Sequence, residues 1–406
     1  MTLALDIPAA EMTLDELIAR ARPGHALDQA FYTDPAIYQR DIERVYMRDW
    51  LYVGHVSQIP EAGDFFLFAV AEEEVIVLRD REGEVRALVN VCRHRGSRVC
   101  LARQGNANKF TCPYHAWTYG LDGRLVAAPR MGEGFDKSAY RLASIHVELL
   151  HGLIFISFAD DEPADFAAAA AALAPRLAPY GLERAKVAFA ETLKFEANWK
   201  LAVENYDECY HCGPAHPEFA RSHSIHRPTE ANVELFDAMM ARAKDTGLDA
   251  DFVSQVGLSD PTGVQYFYDR YALFPDYVTG TEDGRPAAPL MGDISDYDGG
   301  ASNVQVGPVS FFLAYNDHVV TYRFTPRGLQ DTDAEVTWLV DADAVEGKDY
   351  DLDRLTWLWR VTSLADKRIV EHNQQGVNSR FYRPGPYSTM EPFPIAFVEW
   401  YLATIK

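Results

Sequence analysis

Cys92-Arg93-His94-Arg95-Gly96 and Cys112-Pro113-Tyr114-His115 are two short clips with 17 residues between His94 and Cys112, each set among turn-forming residues. On neighbouring loops, Cys92, His94, Cys112 and His115 supply two thiolates and two imidazoles. That set holds a [2Fe–2S] cluster, with the thiolates on one iron and the imidazoles on the other. Two cysteines and two histidines also suit zinc, but zinc modules pair cysteine with cysteine and histidine with histidine at short spacing, whereas each clip here is mixed. The ligand pattern therefore predicts iron–sulfur over zinc. Neutral imidazoles in place of anionic thiolates raise the potential of such a cluster, to within about −150 to +300 mV. Cys100, between the clips, reads as a small buried thiol.

Outward from the clips, β-rich runs at Phe65 to Val70, Glu74 to Leu78 and Gly152 to Phe158 alternate with turn signals such as Arg81-Glu82-Gly83 and Leu121-Asp122-Gly123. They predict a small all-β domain over residues 51–160. Residues 1–50 read as a helical lead-in, with Thr13 as an N-cap for a run to Arg22 and Asp34-Pro35 opening a second run to Trp50. The alanine-rich segment Asp165 to Pro179 predicts a helix at the border of a second, mixed α/β domain, residues 161–406. Residues 280–303, rich in Gly, Asp and Pro, read as a long flexible loop or lid.

A second constellation lies in that domain. The stretch Asn198 to His211 reads as a helix, followed by Cys212-Gly213-Pro214-Ala215-His216. Five residues apart on one helix, His211 and His216 would diverge by about 140°. Gly213-Pro214 is a stop signal that lets His216 swing back. A carboxylate would complete a two-histidine facial triad, which leaves positions open on ferrous iron. Asp366 fits: in a helix from about Asp351 to Gln375 it falls on the apolar stripe of Leu355, Leu358, Trp359, Thr362 and Ile369, where a bare carboxylate is costly without a cation. An arginine would serve as well as a metal. Glu208, three residues before His211, faces the same side and can orient a ligating ring; Glu204 is a second such candidate. Cys209 and Cys212 also form a C-x-x-C, open to a zinc or redox-thiol reading.

The formal net charge of −22 opposes binding to nucleic acid or an anionic membrane surface. Met1 to Arg22 lacks the basic start and apolar core of a secretory signal, and no apolar run approaches the roughly 20 residues of a membrane span. A cytoplasmic location is expected. Five cysteines in 406 residues argue against a disulfide framework and for metal or thiol use.

The two clips, the run Glu204-Asn205-Tyr206 to Glu208-x-x-His211-x4-His216, and Asp366 ahead of Asn373-Gln374-Gln375-Gly376 together resemble the large subunits of Rieske non-haem iron oxygenases, over nearly the whole chain from about Tyr46. The resemblance implies an α+β fold: an all-β Rieske domain, then a helix-grip-type catalytic domain with a curved antiparallel sheet. It implies Fe(II) at His211, His216 and Asp366, O2 as co-substrate, electrons from NAD(P)H through a flavin/iron–sulfur reductase, and a homotrimer. In the trimer, Glu208 would bridge toward a cluster histidine of the neighbouring subunit. The family usually has Asp at that bridge.

Glu208-Cys209-Tyr210-His211-Cys212 and the tail Arg383-Pro384-Gly385-Pro386-Tyr387-Ser388 are most similar to the quaternary-ammonium monooxygenase group, which acts on glycine betaine, choline, carnitine or stachydrine. The implied reaction hydroxylates a carbon next to nitrogen, giving N-demethylation or C–N cleavage. A methylammonium head favours aromatic faces, and Tyr206, Tyr210, Tyr315, Phe381 and Tyr387 are candidate cage members. Two other readings remain open: an aromatic ring hydroxylating subunit, and a Rieske electron carrier, which would leave His211, His216 and Asp366 without a purpose.

Overall fold

The computed structural model describes residues 12–248, 251–255 and 263–406; the first eleven residues of the expected lead-in lie outside them. Thr13 caps the helix Leu14–Arg20 through a reciprocal bond with Glu16, and Asp34 caps Pro35–Asp41 by accepting from the Ala36 N–H at 2.7 Å. The second run continues as a wider turn, Ile42–Tyr46, and stops before Trp50.

The clips belong to an antiparallel β unit. A seven-stranded sheet runs, in spatial order, Leu51–His55, Leu153–Ser157, Ser144–Leu150, Val85–Val89, Glu73–Arg79, Asp64–Val70 and Gln104–Asn106. A three-stranded sheet of Phe110–Thr111, Thr118–Tyr119 and Leu125–Ala127 sits beside it. Trp50, Tyr52, Leu153 and Phe155 pack into one core with Phe312, Ala314 and Leu339, so this unit leans on the second sheet.

That second sheet is also seven-stranded and antiparallel, in the order Ala185–Phe195, Asp331–Asp341, Val319–Gly328, Ser310–Ala314, Gly300–Val306, Tyr266–Ala272 and Val253–Ser254. The helices Trp199–Tyr206 and Leu352–Val377 cover one face, and the terminal helix Pro392–Thr404 packs on Trp199. The alanine-rich segment forms the helix Ala167–Leu177. The expected lid is instead a packed loop running to Gly299: Thr279, Ala287, Met291 and Asp298 are buried, and the Asp317 carboxylate accepts from Thr279 Oγ1 at 2.6 Å and Ala287 N at 2.8 Å. Buried backbone polar groups satisfied in this way remove the freedom that composition suggested.

A wholly buried ion pair ties the chain's ends to the site helix. Lys200 Nζ donates to Asp41, which also accepts from Trp199 Nε1 at 3.1 Å and Tyr401 Oη at 2.6 Å. Burial pushes the carboxyl up and the ammonium down, and their mutual attraction offsets it. Removing one partner strands the other charge. Lys200→Met is therefore expected to lower the unfolding free energy by about 3–5 kcal/mol in urea denaturation, and Asp41→Leu/Lys200→Met to regain most of the loss. A single substitution costing under about 1 kcal/mol would show that the pair is dispensable.

Candidate metal centres and substrate cavity

The two clips fold into loops of the same form. Cys92 N donates to Ser97 O at 2.8 Å and Gly96 N to Cys92 O at 2.9 Å; Cys112 N donates to Trp117 O at 2.8 Å and Ala116 N to Cys112 O at 3.0 Å. Each loop turns back at the fourth residue after its cysteine, where Gly96 has φ +77° and Ala116 φ +59°. Glycine adopts that conformation without strain and alanine does not. The turn brings the imidazoles face to edge, with His94 Nδ1 3.2 Å from His115 Nδ1; Cys92 and Cys112, at the start of each loop, are buried and neither is in a disulfide. Trp117 stacks on His94 with ring centroids 4.8 Å apart, and Tyr119 Oη lies 3.3 Å from Cys92 Sγ. Two free, buried cysteines and two imidazoles whose nitrogens converge make a donor set that fits a [2Fe–2S] cluster.

The second set is more compact. His211 Nε2, His216 Nε2 and an Asp366 oxygen lie within 4.8 Å of one another. His216 Nε2 is 2.7 Å from Asp366 Oδ1, His211 Nε2 is 3.3 Å from the same oxygen, and the two Nε2 atoms are 3.1 Å apart. Among the described residues, the ion pairs of Asp366 are with these two histidines, not with an arginine. Three converging donors, two neutral and one anionic, fit a divalent ion with open positions.

The helix that delivers them is shorter than expected. It ends at Tyr206, and the reason is local: the Glu208 carboxylate accepts from the backbone N–H of Tyr210 and, at 3.1 Å, of His211. That capping competes with helical bonding. His211 precedes a short turn, Cys212–Ala215, and His216 follows it, so the turn between them closes the gap. Glu208 Oε1 also lies 2.5 Å from His211 Nδ1, which fixes the ring and turns Nε2 inward. Burial alone would lower the His211 pKa; hydrogen bonds and charge from Asp366 and Glu208 outweigh it and raise it to about 9, so a divalent ion must displace that proton to be bound by the neutral ring.

The three donors open onto a cavity of about 490 Å³. Tyr206, Phe219, Tyr271, Tyr322 and Trp359 supply aromatic wall; Asp207, Glu208, Glu230, Asp269 and Asp366 supply carboxyls against one guanidinium, Arg227.

Residues 49–146 match the family described as the Rieske [2Fe-2S] domain, and residues 182–406 match the ring hydroxylating alpha subunit (catalytic domain). The chain is a Rieske oxygenase alpha subunit. It is an oxidoreductase of the family that couples a [2Fe–2S] domain to a non-haem iron domain. The glycine betaine monooxygenase oxygenase subunit of Pseudomonas aeruginosa is 39% identical to it, over 97% of this chain and 92% of that one. The carnitine monooxygenase oxygenase subunit of Acinetobacter baumannii is 35% identical over 53% of this chain and 58% of its own length. In fold, the alpha subunit matches a solved structure of the quaternary ammonium Rieske monooxygenase CntA with a TM-score of 0.73 at 24% identity, covering 97% of this chain and 99% of that one. The expected α+β architecture, a Rieske β domain followed by a curved antiparallel sheet with helices, is the one found.

Of the five aromatic residues singled out as cage members, Tyr206 lines the cavity of this alpha subunit and the other four are placed elsewhere. Tyr315 is buried with its hydroxyl 2.7 Å from His223 Nε2. Tyr387 donates to Glu204 at 2.9 Å, as Tyr32 does at 2.8 Å, so Glu204 serves this bridge between chain ends instead of orienting a ligand. Tyr210 and Phe381 face solvent. Cys209 and Cys212 form a disulfide, which corrects the zinc reading of the C-x-x-C, since neither sulfur is free to bind a metal; a disulfide is also the oxidised form of a redox dithiol. Asp269 and Tyr271 were missed, although the strand alternation Phe267, Asp269, Tyr271, an acid between aromatic residues on one sheet face, is a readable signal.

Proposed function

We propose that this alpha subunit is the oxygenase component of a two-component monooxygenase acting on a quaternary-ammonium, betaine-type substrate. The observation that carries the reading is the cavity itself, in which aromatic faces and a majority of carboxyls surround the three-donor centre, an environment suited to a methylated cation. Near full-length similarity to glycine betaine monooxygenase oxygenase subunits supports it.

Cys92, His94, Cys112 and His115 would hold the cluster, and His211, His216 and Asp366 the ferrous iron. When bound, these groups supply one-electron storage and oxygen activation, with electrons drawn from NAD(P)H through a flavin/iron–sulfur reductase, so that a carbon next to nitrogen is hydroxylated and N-demethylation or C–N cleavage follows. The chain's own residues supply position. Glu208 accepts from His211 Nδ1–H and so presents the Nε2 lone pair to the centre. Asp366, midway along the long helix, is held on a rigid element rather than a loop. Tyr206, Phe219, Tyr322 and Trp359 displace water from the substrate's methyl groups.

A homotrimer completes the arrangement, with the exposed clip loops of one subunit docking beside Glu208 of the next. Solvent-facing Val91, Leu101 and Tyr114 around the clips, and Tyr210 near Glu208, support such a contact.

The test is oxygen uptake with a surrogate reductase across glycine betaine, choline, carnitine, stachydrine and aromatic acids. Substrate-coupled uptake with the ammonium compounds is expected, with formaldehyde released where a methyl group is lost. Coupled uptake confined to aromatic acids would overturn the reading.

A further inference from the structure

The strand Tyr266–Ala272 carries opposite charges on opposite faces. Arg270 is buried on the side away from the cavity, paired with Asp298 through Nε at 2.7 Å and bonded to Tyr180 Oη and Ser302 Oγ at 2.9 Å each. Its neighbour Asp269 points the other way and lines the cavity with Tyr271. The arginine has everything it needs. The carboxyl does not: among the described residues nothing donates to Asp269 Oδ1, although the atom is buried.

Directly opposite Asp269 in the strand register stands Asn303, also on the cavity wall, and its Oδ1 is likewise buried without a donor. Two adjacent acceptors with no donor leave a site of uncompensated negative potential. Burial pushes the Asp269 carboxyl up to about 7, and among the described residues no charge offsets it. A cation seated against it would restore the ionised form and recover the solvation that burial removed.

Resting on the quaternary-ammonium reading above, we propose that Asp269 is the counter-ion of the substrate's ammonium head, with Asn303 opposite it on the cavity wall and the Tyr271 ring as a neighbouring face. Asp269 is then a specificity-determining residue. It selects a trimethylammonium group over a neutral group of the same shape, a distinction the aromatic walls make only weakly.

The assignment is tested by calorimetric titration of the anaerobic holoenzyme with glycine betaine and with its carbon isostere 3,3-dimethylbutanoate, in which an uncharged tert-butyl group replaces trimethylammonium, in the wild type, Asp269→Asn and Asp269→Glu. The wild type is expected to prefer glycine betaine by at least about 10-fold. Asp269→Asn is expected to weaken glycine betaine by about 10- to 100-fold, leave the isostere within about twofold and raise KM more than it lowers kcat; Asp269→Glu recovers part of the preference. A wild type that binds both compounds equally overturns the assignment without any variant. So does an Asp269→Asn protein that binds glycine betaine as the wild type does. A wild type that binds no quaternary-ammonium compound at all overturns the functional reading, and the assignment with it.

Discussion

Asp366→Ala is expected to cost one iron per chain and all substrate-coupled oxygen uptake, while the visible spectrum of the cluster domain is unchanged. Asp366 contributes the anionic donor of the three, and its Oδ1 is shared between His216 Nε2 at 2.7 Å and His211 Nε2 at 3.3 Å. Without it, two neutral imidazoles remain, a set that holds a divalent ion poorly. Loss of a group that only orients a ligand costs about 10–100-fold in metal affinity or activity, and loss of a ligand itself should exceed that. Metal analysis beside an oxygen-electrode assay checks both halves. Full iron content with turnover within about twofold would remove Asp366 from the ligand set.

Glu208→Gln is expected to lower turnover by about 10²-fold with both metals retained. The carboxylate accepts from His211 Nδ1 at 2.5 Å, from His211 N at 3.1 Å and from Tyr210 N, so it fixes the ring and the backbone of one ligand together. Glutamine keeps the shape and one acceptor oxygen but loses the charge that strengthens those bonds. The ligand stays in place, and the electrostatic support of His211 and of the proposed inter-subunit bridge is lost. Iron content equal to the wild type with slowed substrate-coupled uptake is the expected pattern; undiminished coupled turnover would take Glu208 out of the path between the centres.

Both candidate constellations stand out in the sequence for the same reason: most of their members lie in short local patterns. A clip of three or four residues closed by its own turn needs no distant partner to be recognised, and Asp366 stood out as a charge on the apolar stripe of a long helix. Long-range contacts were not legible. Tyr387 reaches Glu204 across 183 positions and Tyr315 reaches His223 across 92, so their hydroxyls are committed to partners that no local pattern announces. The helix end at Tyr206 was obscured because Glu208 reads as a good helix former while its carboxylate in fact caps the N–H groups of the residues after it. The Gly- and Pro-rich segment ahead of Gly300 suggested freedom, yet Asp317, from a neighbouring turn, pins it. Asp269 carries a periodicity signal, but the missing partner that makes it notable emerges only when the whole cavity is assembled.

The most direct test of two metal centres in one chain is the ratio of iron to acid-labile sulfide in anaerobically purified protein, compared with a His211→Ala/His216→Ala variant. About three irons to two sulfides per chain are expected, falling to two irons and two sulfides in the variant. Two irons to two sulfides in both proteins would leave an electron carrier in place of an oxygenase, and iron without sulfide would contradict the cluster.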